Sequence, residues 1–252
     1  MKGHSSLLNY LHAHAPAVAP DVVLWHLAAA HVPSVAFLLN KGDGQFAASA
    51  MRSAVCIGNL AVVKLLHERG TQTYMNALND ACECGHVRVA EYLMMNNLGT
   101  WDPDTLVFVV KNGHIEIVRL LHERGYDGFD KYTMDIAAKF GHLDVVRFLS
   151  AERQEGCTPR AIVRAARNGH VHVVQFLDTK YRRPSVSAAI DVAVECGNVE
   201  VVEYFLRHRL EAVDVASALD IAKLWKQDAV VAVLNNYYGL HQILIRSPLS
   251  KF

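Results

Sequence analysis

The phrase GHIEIVRLLHERG, from Gly113 to Gly125, echoes through this chain as GNLAVVKLLHERG from Gly58, GHVRVAEYL from Gly85, GHLDVVRFL from Gly141, GHVHVVQFL from Gly169 and GNVEVVEYF from Gly197. The leading glycines stand 27, 28, 28, 28 and 28 residues apart. A fixed period of this length points to a stack of small repeats, each burying its apolar face against its neighbours rather than in one central core. Stepping back from Gly58 reaches Ala30, where AHVPSVAFL keeps the apolar pattern without the glycine, and then Gly3, where GHSSLLNYL reads as the second half of a repeat. Twenty-eight forward from Gly197 is Trp225, and moving one further, to Lys226, brings Val230, Val231, Val233 and Leu234 into better register. The expected organisation is a single solenoid over 1–252, with a half repeat near 1–15, about eight full repeats over 16–238 and a C-terminal tail over 239–252.

The stretch DKYTMDIAAKFGHLDVVRFLSAE, around Gly141, shows what one repeat is physically. Met134, Ala137 and Ala138 recur at helical spacing, as do Leu78, Ala81 and Cys82, or Ile162, Ala165 and Ala166, and make the apolar stripe of a short first helix. Small or β-branched residues three and four before the glycine let neighbouring helices approach closely. Gly141 supplies the left-handed backbone that ends this helix at little steric cost. Val145, Val146, Phe148 and Leu149 then form the stripe of a second helix, leaving Asp144 and Arg147 on its outer face. Helices this short are marginal alone, so their stability must come from stacking. Pro16, Pro20 and Pro33 are expected to interrupt the first connector and the second helix of the Ala30 repeat. Leu224-Trp225-Lys226-Gln227 reads as a divergent cap, and Leu240, Ile243, Leu244 and Ile245 of the tail are expected to pack over the final helix pair.

A leucine, paired alanines, Gly-His and Val-Val-x-x-Leu, as carried by MDIAAKFGHLDVVRFL and closely by IVRAARNGHVHVVQFL, resemble the ankyrin repeat. The resemblance recurs in register from Gly3 to about Leu234 and is similar to the short-connector arrays typical of oomycete proteins. It implies an all-α, ankyrin-type solenoid of stacked helix-turn-helix repeats. The period falls short of the family's usual 33 or so, and the Thr-Pro-Leu-His opening is absent in full, so abbreviated connectors are expected in place of projecting β-hairpins. The resemblance further implies a non-enzymatic scaffold that binds a partner through its concave face and connectors. The alternative is a structural segment of a longer array with no ligand of its own.

Charge and chemistry narrow the choice. Lys plus Arg and Asp plus Glu number 25 each, so no overall field favours nucleic acid or an anionic membrane. No apolar run approaches the roughly 20 residues of a membrane span, and the polar start MKGHSSLLNYLHAHAP is unlike a secretory leader. A cytoplasmic or nuclear monomer is expected. Cys56, Cys82, Cys84 and Cys196 fall at helical repeat positions, where Cys behaves as a small hydrophobe, and with the loop residue Cys157 they read as reduced thiols. Among the histidines, His4, His31, His86, His114, His142 and His170 follow the turn position, while His12, His67 and His122 lie nine after it. Such periodicity reads as structural. Cys82-x-Cys84 lacks zinc-site spacing, and His170-x-His172 sends its rings to different helix faces. No phosphate loop or nucleophile elbow is present, and Asp135, Asp191 and Asp220 recur at similar first-helix positions rather than forming an acid/base pair. Neither catalysis, a cofactor nor a metal is expected.

Recognition is placed at the ends of the first helices. In the ankyrin family the two residues before the turn glycine lie on the inner face. Carried over, the first of these reads Cys56, Glu83, Lys111, Lys139, Arg167, Glu195, and the second includes Asn112, Phe140 and Asn168. Helix geometry independently sets this position about 200° from the small-residue stripe. Three successive cations bracketed by glutamates suit an acidic segment, with Phe140 as an apolar contact; the alternative reading is a solvated helix face. The expected partner-binding residues are therefore Glu83, Lys111, Asn112, Lys139, Phe140, Arg167, Asn168 and Glu195. The expected partner is a protein or peptide rather than nucleic acid or a membrane.

Overall fold

The computed structural model describes residues 31–40, 47–181 and 186–246, and the described residues hold helices, turns and connectors but no strand. The chain divides into two compact units, Met1–Gly128 and Phe129–Phe252. In the first lie α1 (Val32–Asn40), α2 (Ala47–Cys56), α3 (Leu60–Glu68), α4 (Ala77–Glu83), α5 (Val87–Met95), α6 (Thr105–Lys111) and α7 (Ile115–Glu123). The first helices α2, α4 and α6 pack side by side in one layer, and α1, α3, α5 and α7 in the other. The second unit repeats the scheme with α8 (Lys131–Phe140), α10 (Arg160–Arg167), α12 (Val186–Glu195) and α14 (Val215–Leu224) against α9 (Leu143–Glu152), α11 (Val171–Tyr181), α13 (Val199–His208) and α15 (Asp228–Arg246). Over the described residues each unit is thus an all-α stack of helix-turn-helix repeats with abbreviated connectors.

The stripes are buried as the spacing requires. Met134, Ala137 and Ala138 of α8 and Val145, Val146, Phe148 and Leu149 of α9 are all buried, with Asp144 and Arg147 exposed. Gly141 ends α8 at φ 82°, with its own N–H on the Ala138 carbonyl at 3.3 Å and the His142 N–H on the Ala137 carbonyl at 3.0 Å. This pair of bonds is the Schellman closure, which consumes carbonyls that the helix leaves open. Lys226 makes the same turn without glycine, at φ 55°, with its N–H on the Lys223 carbonyl and that of Gln227 on the Ala222 carbonyl.

Buried polar residues of the first helices fasten the connectors. Asn79 Oδ1 accepts the Asp102 N–H at 3.0 Å, and Asp135 Oδ1 accepts the Thr158 N–H at 2.9 Å while its Oδ2 receives the Thr158 hydroxyl at 2.5 Å. Asp135 is fully buried and lies 3.9 Å from Arg164. Asp135 thus clamps the chain 23 residues later, whereas the recurring Asp191 is only half-buried and Asp220 is exposed.

Two expectations need correction. Pro33 does not interrupt its helix but sits in the first turn of α1, where a missing N–H has no intrahelical acceptor to lose. Ser34 and Val35 donate back to the His31 carbonyl there. Of the four cysteines at helical positions only Cys82 is buried; Cys56 ends α2, and Cys84 and Cys196 directly follow α4 and α12, where all three are exposed. The loop residue Cys157 is buried instead, and none of the five is in a disulfide. The last helix, α15, runs on through residues 239–246. Pro16, Pro20, Gly3, Ala30, the half repeat near 1–15, the packing of Leu240, Ile243, Leu244 and Ile245, and residues 247–252 lie outside what is described.

Candidate functional site

In both units the row of first helices carries charged side chains in its last turns, at one equivalent position of α4, α6, α8, α10 and α12. In the first unit Lys111, on α6, is exposed, and Glu83, on α4, is half-buried. Burial pushes the Glu83 carboxyl up, helped by the negative charge of Asp80 and Asp102. In the second unit Lys139 and Arg167 are exposed at equivalent positions of the adjacent helices α8 and α10, and Glu195 is half-buried on α12. Neither Lys139 nor Arg167 belongs to an ion pair among the described residues. Lys139 Nζ lies 5.1 Å from the centre of the half-buried Phe140 ring, within cation–π range.

Asn112 and Asn168 are exposed but tied down. Asn112 Nδ2 donates to the Glu83 carbonyl at 3.1 Å, and Asn168 Nδ2 to the carbonyls of Lys139 at 3.1 Å and Arg164 at 2.9 Å. Their amide donors thus join one repeat to the one before it. The histidine after the turn does the same. Nε2 of His86, His114 and His170 donates to the carbonyls of Cys56, Glu83 and Lys139 at 2.8, 2.8 and 3.1 Å. Where histidine is replaced, Asn198 Nδ2 reaches the Ala166 and Arg167 carbonyls at 2.7 and 2.8 Å, and Gln227 Nε2 reaches that of Glu195 at 2.8 Å.

Sequence reasoning missed two residues in this row. Leu224 and Trp225, at the end of α14, occupy the register of Glu195-Cys196, Arg167-Asn168 and Lys139-Phe140. They are 77% and 56% exposed. The signal that places them is the alignment of Lys226 with the turn glycines.

The family comparison agrees with this geometry. A three-copy model of ankyrin repeats matches residues 134–217, and a many-copy model of ankyrin repeats matches residues 106–150. Residues 106–217 carry ankyrin repeats. Ankyrin repeats are in general protein–protein interaction modules, and Lys111, Lys139, Arg167 and Glu195 lie within the matched residues. No curated protein matches the chain. Among the described residues no helix is long and apolar enough to cross a membrane, and no group of three or more His, Cys, Asp or Glu is placed to hold a metal ion.

Proposed function

We propose that this ankyrin-repeat protein is a non-enzymatic scaffold that binds an acidic segment of a partner protein at the ends of its first helices. The observation that carries this reading is the pair Lys139 and Arg167, exposed on adjacent helices and in no ion pair among the described residues. Lys111, Asn112 and Glu83 offer a related surface in the first unit, and Phe140, Asn168 and Glu195 flank the pair in the second. An exposed ion pair contributes only about 0.2–1 kcal/mol, so the cations serve selection more than affinity and apolar contact must add to them. Five cysteines outside any disulfide suit a reducing compartment, cytoplasmic or nuclear.

Selection from a displayed peptide library tests the reading. Wild-type protein is expected to enrich acidic sequences, and the Lys139→Glu/Arg167→Glu variant to lose that bias at an unchanged melting temperature. Lys111→Glu, made separately, measures the share of the first unit. Enrichment without acidic bias, or the same bias in the variant, overturns the reading.

A further inference from the structure

The charged row of the second unit ends in an apolar pair. Reading along α8, α10, α12 and α14, the last-turn positions present Lys139, Arg167, Glu195 and then Leu224 with Trp225. Large aliphatic and aromatic side chains left side by side in water are a surface that burial would stabilise. The charges beside them define what suits that burial. From the geometry we infer that this row binds an extended peptide with a set order of side chains: two acidic residues against Lys139 and Arg167, a basic or neutral residue against Glu195, and a large apolar residue against Leu224 and Trp225. The inference rests on the acidic-segment reading above and adds an anchor and a spacing to it.

The spacing follows from packing. Helices in contact within a layer lie about 8–10 Å apart, and an extended chain advances about 3.3 Å per residue. Successive contacts therefore fall about three residues apart, and the segment spans about ten. The division of labour follows from burial. Trp225 offers the kind of aromatic area that dominates binding free energy, whereas solvent-exposed charges mainly fix register and reject wrong sequences. Glu195 makes the row selective in its middle, because a third acidic residue there meets a like charge.

Ten-residue synthetic peptides test this, with Glu at positions 1 and 4, Lys at 7 and Phe at 10, made also in reverse order, since either chain direction satisfies the row. Binding is followed by anisotropy of a labelled peptide and by tryptophan emission of the full chain. One of the two orders is expected to bind and to shift the emission to the blue, a shift absent from Trp225→Phe. Replacing Phe by Ser, or moving it two positions, is expected to weaken binding at least tenfold, and Lys→Glu at position 7 several-fold. Leu224→Ser/Trp225→Ser is expected to remove the preference for Phe while keeping the dependence on Glu. Binding that requires Glu but ignores the presence and position of Phe overturns this inference and leaves the acidic-segment reading standing. If no peptide binds and library selection also lacks acidic bias, both fall. Two other occupants are separable. Self-association lost in Leu224→Ser/Trp225→Ser assigns the pair to a second copy of the chain. A red shift of the free protein on Leu249→Ser/Phe252→Ser assigns it to the C-terminal residues. Either result overturns the inference.

Discussion

His114 lies directly over Gly85: its Nε2 donates to the Glu83 carbonyl at 2.8 Å, and a Cβ placed on Gly85 would come within 2.6 Å of its Nδ1. The glycine therefore answers two demands at once, a left-handed turn at φ 76° and the close approach of the next repeat's ring. His86 stands in the same way over Gly58 and His170 over Gly141, while Asn198 and Gln227 approach Gly169 and Gly197.

Separating these demands gives the first prediction. Gly70, in the same unit, has φ 80° but nothing within 4 Å of a Cβ. Gly70→Ala should cost about 1–2 kcal/mol from the backbone alone, and Gly85→Ala about 1–3 kcal/mol more from the collision. In a His114→Ala background the excess should vanish. Urea denaturation measures all three, and equal midpoints for Gly70→Ala and Gly85→Ala would show that the ring yields freely.

Lys226 takes the turn conformation at φ 55° with a side chain that disfavours it. Lys226→Gly is expected to stabilise the protein by about 1 kcal/mol. Asn97, at φ 54°, should gain only a few tenths from the same change, because Asn tolerates this region. Thermal melts of both variants check the order; a loss of stability in Lys226→Gly contradicts it.

Asp135 makes stability depend on pH. Burial pushes its carboxyl up, against the opposing pull of the Thr158 hydrogen bonds and of Arg164 and Arg160. The folded state thus holds this proton to higher pH than the unfolded chain. Its contribution is fully present below the ordinary Asp value of 3.8 and is lost as pH rises through the raised folded value. Asp135→Asn removes the charge but keeps an acceptor for the Thr158 N–H, the role Asn79 fills for Asp102. It should match or exceed wild-type stability at neutral pH and lack this part of the pH dependence, whereas Asp135→Ala should cost about 1–3 kcal/mol throughout. Denaturation midpoints across pH decide; parallel profiles for wild type and Asp135→Asn would refute it.

Asp178 of α11 is buried, accepting the Tyr204 hydroxyl at 2.9 Å and pairing with Arg209 after α13. Arg209→Ala should destabilise by about 3 kcal/mol, since it strands a buried charge, and Tyr204→Phe by about 1 kcal/mol. In an Asp178→Asn background both costs should shrink, a double-mutant cycle that reads the coupling directly.

The period, the turn glycines and both apolar stripes are legible in the sequence because each is a local demand repeated on every turn of the stack. The exposure of Lys139 and Arg167 is legible for the same reason: helix geometry alone turns them from the small-residue stripe. What His114 does is not, since its acceptor lies 31 residues back and periodicity says only that the role is shared. Nor are the inward hydrogen bonds of Asn112 and Asn168 legible, since the sequence marks these residues only as candidate partner contacts. Leu224 and Trp225 mislead in the opposite sense, because large apolar residues suggest a cap's interior and only the register of Lys226 sets them on the exposed row.

The side chains that close the first helices come from the repeat that follows, reaching back 30 residues from His86, 31 from His114 and His170, and 32 from Gln227. Helix ends left without such partners stay solvated and frayed. A nascent chain leaving the ribosome therefore completes each of these repeats only when the next one has emerged, and the folded front trails translation by one repeat within each unit.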